Sequence, residues 1–195
     1  MEKIQGYDEA QAITGEYETL EAGGYICKII SAKEETSQNG NRMLVIVFDI
    51  AEGEHKGIYK RRYDELVKQN NDPATTVKYP NNGVYRVMLD SEKAAGYLKG
   101  LMTSIEASNK NFKWNWDEKE LKDKIFGGIF GEEEYEKMNG EIGTTVKLKW
   151  IRSVQAIEDG KYKIPEKKCL NKQSDKKSDN IFNTDAKDDD DDLPF

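Results

Sequence analysis

Arg42-Met43-Leu44-Val45-Ile46-Val47-Phe48-Asp49-Ile50-Ala51 is the stretch on which the fold turns. Leu44, Ile46, Phe48 and Ile50 recur at period two, the spacing of a strand that lays one face on a core. Val45 and Val47 make the opposite face apolar as well. That face calls for a second layer, either the N-terminal arm or another subunit, so a homo-oligomer is compatible with the pattern. Upstream, Tyr25 to Glu34 is rich in Tyr and Ile, and Ser37-Gln38-Asn39-Gly40-Asn41 between the two runs is a turn cluster. Downstream, Glu52-Gly53-Glu54 makes the next turn and Gly57 to Tyr63 reads as a third strand. Three strands joined by short turns predict an antiparallel meander.

Residues 64 to 83 carry Asn70-Asn71-Asp72-Pro73 and Pro80-Asn81-Asn82-Gly83, the marks of an irregular excursion. Tyr85 to Leu89 is either a short extended piece or the lead into a helix. From Ser91, read as an N-cap, Ala94, Ala95, Leu98, Leu101, Met102 and Ile105 fall three or four apart, which predicts an amphipathic helix ending near Ser108. An aromatic loop around Trp114 and Trp116 follows. Ile125 to Glu134 resumes β character, Asn139-Gly140 supplies a hairpin turn, and Thr144 to Ser153 alternates Val146, Leu148 and Trp150 against Lys147 and Lys149. Strand, strand, strand, helix, strand, strand is the element order of the OB-fold, a five-stranded, partly open Greek-key barrel. The expected fold is therefore mainly β: a five-stranded OB-fold-like barrel with one α-helix between strands 3 and 4. Residues 1–19 read as an N-terminal arm and 20–165 as the barrel domain. Residues 166–195 are too polar to offset the entropy of ordering and read as a flexible, disordered acidic tail.

The chain carries a net charge of −7, which at first sight opposes a nucleic-acid partner. From Asp185 to Phe195, however, six Asp stand against one Lys, a net of −5, which leaves −2 for the rest. An almost neutral body can still present a basic stripe. No apolar run approaches the ~20 residues of a membrane span, and Met1 to Gly6 lacks the apolar stretch of a signal peptide. A soluble, intracellular protein with no membrane partner is expected. Cys27 and Cys169 are the only cysteines and His55 is the only histidine, too few ligands for a zinc site. Cys27 reads as a small core residue. With no Gly-rich phosphate loop and one histidine, neither a cofactor, a resident metal nor an enzymatic activity is expected. Asp49, Glu52 and Glu54 with Glu132 to Glu134 are the one acidic set that a metal-dependent nuclease could use, and solvation at turns explains them better.

A groove for single-stranded nucleic acid needs cations that follow phosphates and aromatic faces on which bases stack. Tyr59-Lys60-Arg61-Arg62-Tyr63 offers three cations bracketed by two tyrosines on the expected third strand, and strands 2 and 3 form the usual OB-fold binding face. Trp114 and Trp116 either clamp bases or seal the end of the helix. On the last strand Lys147, Lys149 and Arg152 are the expected contacts, whereas Trp150 has the parity of Val146 and Leu148 and so reads as core. At the C-terminus, Asp188, Asp189, Asp190, Asp191 and Asp192 precede Leu193, Pro194 and Phe195. An apolar residue, a bend and a ring beside the terminal carboxylate suit capture in an apolar pocket with a basic rim.

This ending resembles the C-terminal tip of bacterial single-stranded-DNA-binding proteins (SSB), whose last residues recruit replication, recombination and repair enzymes. The body resembles a family of phage-encoded, SSB-like proteins. The shared stretches are Leu20 to Tyr25, Asn41 to Leu44 with Phe48 to Gly57, and Phe130 to Tyr135 with Arg152-Ser153-Val154. The resemblance implies sequence-independent binding of single-stranded DNA during phage or mobile-element replication and recombination. It also implies recruitment of replication or recombination proteins through the tip. The alternative is a protein–protein adaptor, an OB-like barrel with a DNA-mimicking acidic tail.

Deleting 188–195 should leave affinity for single-stranded DNA unchanged or slightly raised, most visibly at low salt, and should abolish partner capture. Phe195→Ala keeps every aspartate and removes only the terminal ring. Pull-downs from host lysate should show it losing the same partners, and retention of all of them would mean that charge alone recruits.

Overall fold

The computed structural model describes residues 18–70 and 74–170. β1 (Gly23–Thr36) and β2 (Arg42–Ile50) form a long antiparallel hairpin. Its turn closes where Gly40, at φ 82°, donates its N–H to the Ser37 carbonyl at 2.9 Å. β3 (Val84–Met88) pairs with the other edge of β2, and β4 (Ile125–Glu136) and β5 (Ile142–Arg152) form a second hairpin whose β4 pairs with β1. The result is one five-stranded antiparallel sheet in the order β3-β2-β1-β4-β5. Among the described residues three α-helices accompany it: α1 (Ile58–Gln69), α2 (Ala94–Ser108) between β3 and β4, and the short α3 (Val154–Glu158).

β1 is shared between two neighbours. Residues 23–28 pair with β4 on one side, while residues from Cys27 onward pair with β2 on the other. Ile30 is an extra residue between the Ile29–Phe48 and Ser31–Val47 pairs, a β-bulge that bends the strand. Just ahead of the bulge, past Lys28, β4 has left, and β1 instead exchanges hydrogen bonds with Asp123 and Lys124 at Ile29. The expected period-two face of β2 holds: Leu44, Ile46, Phe48 and Ile50 are all in the core, joined by Cys27, Ile29, Phe126 and Phe130. The rings of Phe48 and Phe126 meet edge-on at 5.7 Å. Cys27 is fully buried, and burial followed by the charge of Asp49 pushes its thiol well above the usual range. It is an unreactive core residue.

Residues 57–63 are not a strand. They open α1, and the third strand of the sheet is the five-residue β3 instead. Ile58, Tyr59, Tyr63 and Leu66 share a helical spacing that is visible only when the window runs past Asp64, and Lys60–Asp64 is an i,i+4 ion pair at 2.6 Å. The decisive contact comes from β2. Asp49, 7% exposed, accepts hydrogen bonds from the N–H of Tyr59 at 3.1 Å and of Lys60 at 2.8 Å, two of the donors that a helix N-terminus leaves unpaired. It also accepts from Ile50 N–H at 2.8 Å and from the Tyr79 hydroxyl at 3.4 Å. Tyr59 then enters the core against Phe48, with ring centroids 5.9 Å apart. α2 begins at Ala94 without a side-chain cap rather than at Ser91.

A second bulge falls in β5. Ile129 pairs with Trp150 and Phe130 with Leu148, so Lys149 is extra. Val146 and Leu148 pack on the core as expected, but the added residue reverses the parity beyond it. Ile151 turns in at 9% exposure, and Trp150, expected in the core, is 50% exposed. Past α3 the chain crosses the sheet. The Tyr162 hydroxyl accepts from Gly24 N–H at 3.2 Å, and a Cβ on Gly24 would sit 2.5 Å from that ring and push it aside. Lys168 then adds to the edge of β4 through hydrogen bonds to Glu132 and Glu134 at 3.0 and 2.9 Å.

Asp49→Ala removes the acceptor from buried backbone donors and should destabilise the fold by about 2–4 kcal/mol in urea titration. Asp64→Ala breaks only an exposed pair with Lys60 and should cost under ~1 kcal/mol. Equal effects would show that Asp49 is not the anchor of α1.

Candidate nucleic-acid interface

The residues expected to contact a strand fall on three separate elements. Lys60, Arg61 and Arg62 are consecutive on α1, where each step turns the direction by about 100°, so they do not line one face. Lys60 pairs with Asp64. Arg61 donates to the Lys56 carbonyl and, at 2.7 Å, to Glu18, which also meets His55 Nδ1 at 2.7 Å. These contacts with His55 and Arg61 hold the Glu18 carboxyl below its usual range. The bracketing tyrosines are not free faces. Tyr59 is 5% exposed, in the core, and half-buried Tyr63 lies against Tyr79 at 5.5 Å. Replacing the expected strand by a helix thus removes the stacking role expected of Tyr59 and leaves the three cations on a helical surface.

On β5, Lys147 and Lys149 both reach Glu133 of β4, Lys147 at 3.5 Å. Burial pushes the Glu133 carboxyl up, but the two ammonium groups outweigh it and hold it low. Arg152 stands exposed at the end of the strand, opposite Gly127. These pairs, like those of α1, are at least partly open to water. Exposed pairs are worth about 0–1 kcal/mol, so an incoming phosphate can displace them. Trp114 and Trp116 lie together in the loop between α2 and β4, ring centroids 4.6 Å apart. The two expected readings divide between them: Trp114 packs against the core, whereas Trp116 is 77% exposed. The tip Asp188 to Phe195 lies outside the described residues.

The strand that does flank β2 brings in cations that sequence reasoning missed. Lys33 of β1 pairs with Val45 of β2, and Val45 pairs with Arg86 of β3. One cross-strand row therefore reads Lys33–Val45–Arg86 on the face opposite the core, its two cations about 10 Å apart by strand spacing. The neighbouring rows are Ser31–Val47–Val84 and Glu35–Met43–Met88. Val45 between the two long side chains is only 4% exposed, as expected where aliphatic stems flank a small apolar residue. Arg86 donates to Asn81 at 3.0 Å, and Lys33 pairs with Glu35. Placing the third strand at Tyr85 to Leu89 was the reading that would have exposed this row. Three of the acids weighed as metal ligands are otherwise engaged: Asp49, expected to be solvated at a turn, is instead buried in β2 and caps α1, Glu133 holds the two lysines, and Glu134 holds Lys167.

The architecture is that of a mainly β protein built on one five-stranded antiparallel sheet with helices packed against its core. Residues 5–110, more than half of the chain, match the family described as protein of unknown function DUF669, and the chain belongs to that family. The matched stretch takes in β1 to β3, α1 and α2. No curated protein matches the chain. Among the described residues no helix is long and apolar enough to cross a membrane.

Proposed function

We propose that this chain binds single-stranded DNA without sequence preference, through the outward face of an OB-like barrel, and serves phage or mobile-element replication and recombination in a bacterial cytoplasm. The observation that carries the reading is the cation row across the meander, Lys33–Val45–Arg86, on the strands that an OB-fold uses for ligands. The strand plan supports the barrel. β1 serves both a β1-β2-β3 meander and β4, a helix lies between β3 and β4, and the 3-10 turn ahead of β3 meets β5 where Asn82 donates to the Thr145 hydroxyl at 3.0 Å. The resemblance of the body to phage SSB-like proteins points the same way. Binding is electrostatic and needs no chemistry on the strand: phosphates replace the exposed carboxylate partners of Lys33, Lys60 and Arg61 and the partly buried Glu133 that Lys147 and Lys149 share, and Arg86 and Arg152 add further contacts. Asp188 to Asp192 with Leu193, Pro194 and Phe195 recruit replication or recombination proteins by the terminal ring and carboxylates.

Affinity for single strands should fall with salt by about 0.7 log units per tenfold for each phosphate contact. Lys33→Ala with Arg86→Ala should flatten that slope by ~1.4 in fluorescence-anisotropy titrations of oligo-dT. Lys60→Ala with Arg62→Ala tests α1 in the same way. A folded double variant of Lys33 and Arg86 with an unchanged slope would move the site off this face.

A further inference from the structure

Trp116 is the most exposed aromatic side chain among the described residues, at 77%, and its backbone lies in the left-handed region at φ 72°. A bulky side chain rarely occupies that region, because Cβ crowds the backbone, and such departures cluster where a ligand is held. Here the surrounding loop enforces it. The Trp114 N–H donates to Glu106 Oε1 at 3.0 Å, and Trp114 Nε1 donates to the Asp117 carbonyl at 3.3 Å. Asp117 N–H donates to Asn115 Oδ1 at 3.2 Å, and Lys113 closes the loop on the other Glu106 oxygen at 2.7 Å. Trp114, half-buried against the core, is thus a fixed floor. Trp116 lies over it at 4.6 Å and 37° and leaves much of its surface to solvent.

The loop is also placed beside the sheet. It runs on through the 3-10 turn Glu118–Leu121 to Asp123 and Lys124, which bond to β1 at Ile29 on the edge that β4 has left. β1 is the strand that carries Lys33 in the cation row. Lys113, 83% exposed, supplies a cation within three residues of the ring.

Resting on the single-strand reading, we infer that this loop is a stacking platform for one unpaired nucleobase, with Trp116 as the contact face and Trp114 and Glu106 as positioning residues. A neutral, planar base suits it: an indole face attracts any of the four bases, and a cation nearby serves the adjoining phosphate. The roles are unequal. Loss of Trp116 removes the contact and leaves the floor, whereas loss of the Glu106 carboxylate frees the loop without touching the ligand.

The test compares oligo-dT with an abasic phosphodiester strand of equal length, both titrated at low salt against the full chain. Trp116→Ala should weaken oligo-dT binding roughly 5- to 150-fold and leave the abasic strand and the salt slope unchanged. Trp116→Phe should restore part of the loss. Glu106→Gln, which keeps the fold, should lose a smaller share, again on oligo-dT alone. Equal loss on both strands, no loss on oligo-dT, or a change of oligomeric state as the only effect of Trp116→Ala would overturn the platform while the single-strand reading stands. If the intact chain binds neither strand, the platform falls together with that reading.

Discussion

The double partnership of β1 is the constraint from which the rest of the molecule follows. A strand that must pair with β4 over residues 23–28 and with β2 up to residue 36 cannot stay flat. The bulge at Ile30 lets it turn between the two hairpins, and the fork that opens there is filled by Asp123 and Lys124. Both devices leave Cys27, Ile29, Phe48, Phe126 and Phe130 on one continuous core. They also leave Lys33 facing away from that core, in line with Val45 and Arg86. The candidate interface is thus a by-product of how the core is closed.

Asp49 does for α1 what β1 does for the sheet. One buried carboxylate takes two helix N-terminal donors, a strand N–H and a tyrosine hydroxyl. Burial and then the charge of Asp49 raise the Tyr79 hydroxyl above its usual range. The helix has few other inward side chains, since only Ile58 and Tyr59 are buried. Its cations therefore stand on a helix held mainly at one end.

Features that depend on a few neighbouring residues were legible in the sequence. The period-two run of β2, the turns at Gly40 and Gly140, the burial of Cys27 and the end of α2 at Ser108 all follow from local patterning. Contacts across sequence distance were not. Nothing in Tyr59-Lys60-Arg61-Arg62-Tyr63 announces that a carboxylate ten residues upstream will start a helix there, and in a five-residue window a helix and a strand look alike. Placing the third strand at Tyr59 to Tyr63 put the expected contacts on Arg61 and left Arg86 out of them. Trp150 was misplaced for a different reason: a single extra residue at Lys149 reverses the parity, and such a bulge leaves no mark in composition. The tryptophan loop was legible as aromatic and polar, but the split between a buried floor and an exposed ring depends on Glu106 in α2.

Charge pairing gives the proposed interface its character. Lys60, Arg61, Lys147 and Lys149 each meet a carboxylate in the free chain, so a polyanion must compete with those groups and the gain is modest and screened by salt. An acidic chain can bind DNA on these terms because phosphates are dense along a strand and the carboxylates are single. The most direct measurement is a fluorescence-anisotropy titration of labelled oligo-dT with the intact chain at low salt, beside a duplex of equal length. Saturable binding to the single strand, weaker binding to the duplex and loss of both as salt rises are expected. No binding to oligo-dT at low salt would contradict the single-strand reading and leave the sheet as a surface for another protein.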